Sequence, residues 1–356
     1  MAESLTRVSS LEVLMTSAGL HLPQLGLWLD PRRAQRGEPV FVSHAHSDHT
    51  AAHREVLLTE ATARFMRHRL GGQRQEHILP FGERRHFGGP GGGFHLTLLQ
   101  AGHIFGSAMS FIEARGSSVL YTGDFKLRPG LVAEPCDPTP ARGCDTLIME
   151  TTFGRAKYRF PPAAAVVADV VRFCRATLAD GATAVLLGYS LGKSQELLRG
   201  LAGADLPVML EKSVLKLTRI HEGLGAKFPP YEPFDAARAA GKVLICAPQH
   251  ARSPLVRGLG PVRTAIATGW AMDSSCRFRY GADAAFPLSD HADFDELMTF
   301  VERVAPRRVL TLHGFAADFA ATLRELGYEA RAISQDEQLT LALGLKPDRR
   351  ELPSVG

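Results

Sequence analysis

Cysteine is scarce and unpatterned in this chain. Five occur in 356 residues (Cys136, Cys144, Cys174, Cys246 and Cys276), an odd number with no Cys-x-x-Cys pair. Neither a disulfide framework nor a thiolate zinc site is expected, and a reducing cytoplasm is the natural compartment. Long apolar runs are missing too: no stretch approaches the roughly 18 residues that a bilayer span requires. The opening Met-Ala-Glu-Ser-Leu-Thr-Arg lacks the charged, then apolar, then small-residue layout of a secretory signal. There is no internal repeat. Charge of one sign is also in short supply, since the net value of +4 does not by itself announce a nucleic-acid partner. Its distribution is uneven, however: residues 181–280 carry 13 Lys/Arg against 7 Asp/Glu, leaving 28 against 30 elsewhere. Any one of those charges fits an ordinary solvated surface, but a positive segment beside a metal-rich remainder is what a polyanion-cleaving enzyme needs.

What is present is concentrated in residues 44–49, His-Ala-His-Ser-Asp-His. Three imidazoles and a carboxylate in six residues would each cost several kcal/mol, of order 2–7, to bury unpaired, and no helix or strand pattern asks for them. A pair of divalent metals does. His44 and His46 leave the apolar run Pro39-Val40-Phe41-Val42 two residues apart and can hold one ion, while Asp48 and His49 follow the turn and can reach a second. Imidazole and carboxylate suit zinc or manganese, and two such ions a few Å apart form a hydrolytic centre. His103, in Ala-Gly-His-Ile-Phe-Gly, is placed as a third ligand to the first ion, and Asp124, ending Tyr-Thr-Gly-Asp, as the bridge between both. Asp30, after Leu-Trp-Leu, reads as a brace for the His loop rather than a ligand. Taken singly, these last three would be ordinary satisfied polar residues; their order and spacing beside the hexapeptide favour ligation.

With 45% apolar residues the chain can bury a large core and is long enough for two domains. The first 150 residues read as strands with few helices: 11–15, 19–22, 27–29, 40–43, 56–59, 94–99, 109–113, 119–122 and 146–149, with one helix over 62–70. That pattern predicts a sandwich of sheets covered by helices. After Phe160-Pro161-Pro162 the style changes to strand–helix alternation, with helices over 163–178, 194–200 and 213–223 and strands over 184–187, 208–210, 242–247 and 264–267. This predicts a separate parallel-sheet unit. A helix over 293–304, a strand over 308–312, a helix over 315–326 and a strand over 329–333 follow, and residues 346–356 read as a loose tail. Gly188-Tyr-Ser-Leu-Gly192-Lys193-Ser194 is one residue too short between its glycines for a nucleotide phosphate loop, although a helix N-terminus of this composition can hold a substrate phosphate.

His-x-His-x-Asp-His followed by Gly-His103 and Gly-Asp124 resembles the metallo-β-lactamase superfamily. The resemblance implies an α/β fold, an αβ/βα four-layer sandwich with metals at the sheet edge. Met-Glu150-Thr-Thr-Phe-Gly, Leu-Ser-Asp-His291-Ala-Asp-Phe and Leu-His313-Gly look like motifs A, B and C of its β-CASP nuclease branch, in which a second α/β domain is inserted into the core. On this reading residues 1–155 and 286–345 form the core and 156–285 the insertion. Several stretches look closest to bacterial exonucleases encoded beside ATP-dependent DNA ligases, and the motif set is also similar to that of the pre-mRNA 3′-end processing endonuclease. His313 stands where Artemis-like DNA nucleases usually carry valine, as in the RNA-processing members.

The resemblance implies that His44, His46 and His103 hold one ion, that Asp48, His49 and His313 hold the other, and that Asp124 bridges them. The ions would be zinc, or else manganese. It further implies His291 as general acid oriented by Glu150, with Asp48 among the catalytic groups. The substrate it implies is DNA in a repair role, with RNA as the alternative, and a DNA ligase and a helicase would act in the same pathway. Lys193, Arg252, Arg277 and Arg279 are expected to touch phosphates in the cleft between domains, and Trp270 or Phe294 to stack a base. A scaffold without activity would be expected to lose ligands, and a small-molecule hydrolase would lack both the insertion and the Glu150/His291 pair.

Overall fold

The structure, a computed structural model, describes residues 11–333, so the expected tail and residues 334–345 lie outside the described residues. The first sheet follows chain order: β1 (Leu14–Met15), β2 (Leu20–Leu22), β3 (Leu27–Leu29), β4 (Val40–Phe41), β5 (Glu55–Leu58) and β6 (Gln75–Ile78). Helix α1 (Glu60–Leu70) crosses from β5 to β6, capped by the Thr59 hydroxyl accepting from the Thr62 N–H. The second sheet begins with β7 (Arg84–Phe87), β8 (Phe94–Gln100), β9 (Ala108–Ala114), β10 (Ser117–Tyr121) and β11 (Thr146–Glu150).

The chain then departs to build a third sheet and its helices. These are α2 (Ala163–Ala179), β12 (Thr183–Leu187), α3 (Lys193–Gly200), β13 (Val208–Leu210), α4 (Lys212–Glu222), β14 (Glu232–Pro233), β15 (Val243–Cys246), α5 (Pro254–Arg257), β16 (Val262–Ala267), α6 (Cys276–Tyr280) and β17 (Ala284–Phe286). It returns through α7 (Phe294–Val304), β18 (Arg308–Leu312), α8 (Ala316–Glu325) and β19 (Glu329–Ala332), with β18 pairing in parallel beside β11.

Alternation explains the layers. In the second sheet Leu96 and Leu98 face inward to meet Leu22, Leu29, Phe41 and Leu57 of the first sheet, while Leu99, Leu147 and Val309 face outward under Leu297 and Phe300 of α7 and Leu323 of α8. Val56 and Leu58 on the outer side of the first sheet pack under Phe65 and Met66 of α1. Each buried side chain of this size contributes about 1.5–3 kcal/mol, so a one-residue slip, which flips every side chain to the other face, is strongly excluded. All pairings in the third sheet are parallel, in the order β14-β13-β15-β12-β16-β17. Its central strand Thr-Ala-Val-Leu-Leu is buried throughout because helices cover both faces. The result is the expected α/β sandwich with a further parallel sheet.

The expected segments differ from the structure chiefly at sheet margins. Strands β6, β7, β14 and β17, all four at the edge of their sheets, are not expected from the sequence. Gln-Glu-His-Ile and Arg-Arg-His-Phe are half-exposed and carry no apolar alternation to read. All five cysteines are free. No helix among the described residues is long and apolar enough to cross a membrane.

The sandwich and third sheet meet partly through α1 and α4. His221 lies there, buried between Phe65 and Phe105 at ring distances of 4.6 and 5.5 Å, its Nδ1–H donating to the Leu217 carbonyl at 2.8 Å. Its Nε2 has no hydrogen-bond partner, and burial pushes the imidazole down to about 4. The unfolded chain accepts a proton near 6.5 that the folded chain refuses until about 4. Stability therefore falls as pH drops through that window, by at most about 1.4 kcal/mol per pH unit for this one group. Urea unfolding between pH 7 and 4 should show the His221→Leu variant with a shallower dependence, by up to one proton.

Candidate metal centre

The parallel strands of the sandwich end on one side, and their C-terminal ends supply nearly every polar group of the site. Asp30 follows β3, His44 and His46 follow β4, His103 follows β8, Asp124 follows β10, Glu150 ends β11 and His313 follows β18. Two loops need special backbone to fit. Gly123 has φ +53, and a Cβ there would stand 2.5 Å from that of Ser43, so glycine lets the Asp124 loop pass the His loop. Asp30 and His313 themselves take positive φ, 43° and 61°, a left-handed conformation uncommon for residues with a side chain.

The imidazoles are fixed by what their outer nitrogens do. Ser43 Oγ gives its proton to Asp30 and so accepts from His44 Nδ1–H at 2.9 Å. His46 Nε2–H donates to the Leu191 carbonyl at 3.0 Å, and His103 Nδ1–H to the Asp290 carbonyl at 2.8 Å. The network thus assigns the protons outward, leaving lone pairs on His44 Nε2, His46 Nδ1 and His103 Nε2. These nitrogens face one another at 3.0 Å (His44 to His46) and 3.2 Å (His103 to His46). Tetrahedral ligands about 2.05 Å from zinc would lie about 3.3 Å apart. Asp124 Oδ2 completes the set, 3.6 Å from His44 Nε2 and 3.7 Å from His103 Nε2.

The second group is built on His49. Its Nδ1–H donates to Asp30 at 2.9 Å, and its Nε2 faces Asp124 Oδ2 at 3.4 Å and Asp48 Oδ2 at 3.8 Å, with the His313 ring centroid 6.2 Å from its own. The same Asp124 oxygen faces both groups, where a bridge would sit. Asp30 accepts from the Ser43 N–H, the Ser43 hydroxyl, His49 and the Tyr121 hydroxyl, so one buried carboxylate holds both halves of the His loop.

The titration behaviour fits a cation site. Burial, then the neighbouring His49, keeps His44 well below the usual histidine range. Burial and His291 push His103 down to about 3. Burial would lower His49 as well, but Asp124 and Asp30 outweigh it and hold a proton on the ring where a metal charge would otherwise serve. Burial would raise Asp124, yet His49 and His291 keep it well below the ordinary carboxylate range. The donor set therefore suits divalent ions of zinc type.

His291 stands beside this cluster, its ring 4.7 Å from that of His103, with Nδ1–H donating to Glu150 at 2.8 Å. Glu150 is buried and also accepts from the Phe125 N–H and the Thr152 hydroxyl. Burial opposes the charge on His291, but Glu150 and then Asp124 raise it to about 10.

A cleft of about 550 Å³ opens over His46, Asp48, His49, Asp124, His291 and His313. Its other wall consists of turns after β12, β15 and β16, which bring Tyr189, Gln249 and Trp270. Trp270 is half-buried against Phe153 at 4.8 Å. Four expected phosphate contacts are not there. Lys193 is fully buried behind the site, because α3 turns its first residue inward, 3.5 Å from Asp290. Arg252 lies against Gly281, Arg277 stacks on Phe278, and Arg279 is exposed on α6; none lines the cleft, since α6 packs beside the Trp270 turn and faces solvent. Phe294 packs on Phe319 and under Arg159 instead of facing the cleft. The arginines that do line it are Arg32 and Arg69. No sequence signal separated them from solvated charges, because each is brought to the cleft by the fold.

Residues 284–333 match the family described as Zn-dependent metallo-hydrolase RNA specificity domain. A protein named probable DNA ligase from Opitutus terrae is 54% identical over 332 residues, covering 93% of this chain and 32% of its own length. The 5′ exonuclease Apollo of Gallus gallus is 28% identical over 79% of this chain and 60% of its own. An RNase J-like protein of Methanocaldococcus jannaschii is 23% identical over 78% and 81%. The chain thus spans about a third of the first relative and under two thirds of the second.

Asp30→Ala would remove the acceptor shared by Ser43, His49 and Tyr121. Competition against a chromogenic chelator should show Zn²⁺ affinity reduced about 10- to 100-fold, as for other groups that orient ligands. Unchanged affinity would mean that the loop holds its shape without this carboxylate.

Proposed function

Because this chain belongs to the β-CASP branch of the metallo-β-lactamase family of nucleases, we propose that it is a metal-dependent phosphodiesterase that digests DNA from an end during repair. The observation that carries the hydrolytic part is the convergence of bare imidazole nitrogens and Asp124 next to the His291–Glu150 pair, all at the floor of one cleft. The DNA part rests on the probable DNA ligase: a region like this chain makes up about a third of a protein named for joining DNA. A ligase is therefore the expected companion, whereas a helicase is suggested only by the bacterial resemblance.

His44, His46 and His103 would hold one ion and Asp48, His49 and His313 the second, with Asp124 between them, as Zn²⁺ or alternatively Mn²⁺. Bound there, the ions would supply a hydroxide from water near neutral pH and offset the charge growing on the phosphate. The chain's own residues do the rest. His291 keeps its Nδ1 proton on Glu150 and delivers the Nε2 proton to the departing sugar oxygen. His291 is held protonated chiefly by Glu150 and then by Asp124, and with divalent ions beside it Asp124 would pull less on that proton. Arg32 and Arg69 are placed to hold phosphates, and Tyr189 and Trp270 to stack bases.

A second reading, an RNA-processing nuclease with the same chemistry, is favoured by the description of the matching family and by His313 within the matched residues. Purified protein with Zn²⁺ or Mn²⁺, given matched single-stranded DNA and RNA labelled separately at each end, separates the two. Laddered loss of DNA from one labelled end is expected, with His291→Ala lowering kcat about 10²- to 10⁴-fold and Asp48→Ala abolishing turnover. Preferential RNA cutting would move the protein to RNA processing, and no cleavage of either would overturn both readings.

A further inference from the structure

The segment 188–195, whose resemblance to a nucleotide phosphate loop came to nothing, is built into the back of the metal cluster. It connects β12 to α3 and so belongs to the third sheet, yet two of its groups act on the other side of the junction. The Leu191 carbonyl accepts the outer proton of His46 at 3.0 Å, which leaves the inner nitrogen bare for a metal. Lys193 is buried, with its Nζ 3.5 Å from Asp290 Oδ1 and no hydrogen bond of its own. Asp290 in turn accepts through its backbone carbonyl from His103 Nδ1–H, and it precedes His291 in the chain.

The segment is rigid for reasons visible in its own side chains. Gln195 accepts from the Gly192 N–H at 2.8 Å and donates to the Ser190 carbonyl and the Thr218 hydroxyl, while Ser194 donates to the Gly188 carbonyl at 3.0 Å. Gly192 has φ +89, and a Cβ there would meet Ile104 Cγ2 at 2.3 Å, one residue beyond His103. Around Lys193 the junction buries a neutral set of four charges. Lys126 lies 3.7 Å from Glu196 and donates to the Ser289 carbonyl, and Glu196 also accepts from the Leu131 N–H. A buried cation with one imperfect partner is costly to keep for packing alone.

We infer that Lys193 and the Leu191 carbonyl are positioning groups for the first metal site, so that His46 and His103 reach metal-binding geometry only when the third sheet is docked against the sandwich. Linkage then makes the dependence reciprocal: a bound metal tightens the docking, and looser docking weakens the metal. The inference rests on the proposed metal centre but not on the nature of the substrate.

The test is titration of Co²⁺ alone into metal-free full-length protein, followed by its visible absorption, with far-UV circular dichroism and Tm recorded on the same samples. Lys193→Met removes the charge, Lys193→Arg keeps it, and Gly192→Ala sets a Cβ against Ile104 and so strains the turn that carries the Leu191 carbonyl without changing any charge. Lys193→Met and Gly192→Ala are expected to weaken the first Co²⁺ about 10- to 100-fold and to shift its absorption bands, with Lys193→Arg recovering most of the affinity. Should Lys193→Met fail to fold, Gly192→Ala and Lys193→Arg still decide the matter. Folded variants that bind Co²⁺ within twofold of the original chain with unchanged bands would overturn the inference. Failure of the nuclease reading shows separately, as absence of cleavage by the unsubstituted chain.

Discussion

Three imidazole nitrogens, stripped of protons by outward hydrogen bonds, aim their lone pairs at one another across 3.0–3.2 Å beside a carboxylate. That arrangement is repulsive unless a cation occupies the centre, and much of the surrounding structure serves to enforce it. Each outward bond ends on an oxygen whose position the fold determines: a serine held by Asp30, the Asp290 carbonyl and the Leu191 carbonyl. The candidate ligands come from four places in the sequence, residues 44–49, His103, Asp124 and His313, and parallel strands ending together bring them to one point. The strained backbone at Asp30 and His313 and the absent Cβ of Gly123 are local concessions to that requirement.

The third sheet has a double relation to this centre. Its strand ends form the far wall of the cleft, where Tyr189, Gln249 and Trp270 face the histidines. Its 188–195 turn also reaches behind the wall, where the Leu191 carbonyl accepts from His46 and Lys193 faces Asp290. A nucleic acid entering the cleft would therefore touch the same unit that contacts the histidine cluster. This offers a physical route by which substrate and metal affinity could be coupled without any change in the ligands themselves.

The sequence made some of this legible and hid the rest for identifiable reasons. The hexapeptide spells out its chemistry locally, because residues two apart after a strand point the same way. Most strands and helices show clear alternation or apolar stripes, whereas β6 and β7 are polar edge strands whose existence depends on neighbours. Asp30 could be suspected as a brace, yet its four donors come from residues as distant as Tyr121. Charge composition correctly marked a basic segment but could not say which way each side chain faces. Lys193 turned inward, Arg252, Arg277 and Arg279 lie elsewhere on the surface, and the cleft took Arg32 and Arg69 from outside that segment. The Leu191 carbonyl carries no side-chain signature at all.

Anomalous diffraction at the zinc edge, from crystals grown with Zn²⁺, would show directly whether the bare nitrogens hold a metal. A peak bonded to His44 Nε2, His46 Nδ1 and His103 Nε2 is expected, and a second peak reached by His49 Nε2 and Asp48, with Asp124 touching both. An empty centre, or His46 turned to coordinate through Nε2 with its bond to the Leu191 carbonyl broken, would contradict that expectation.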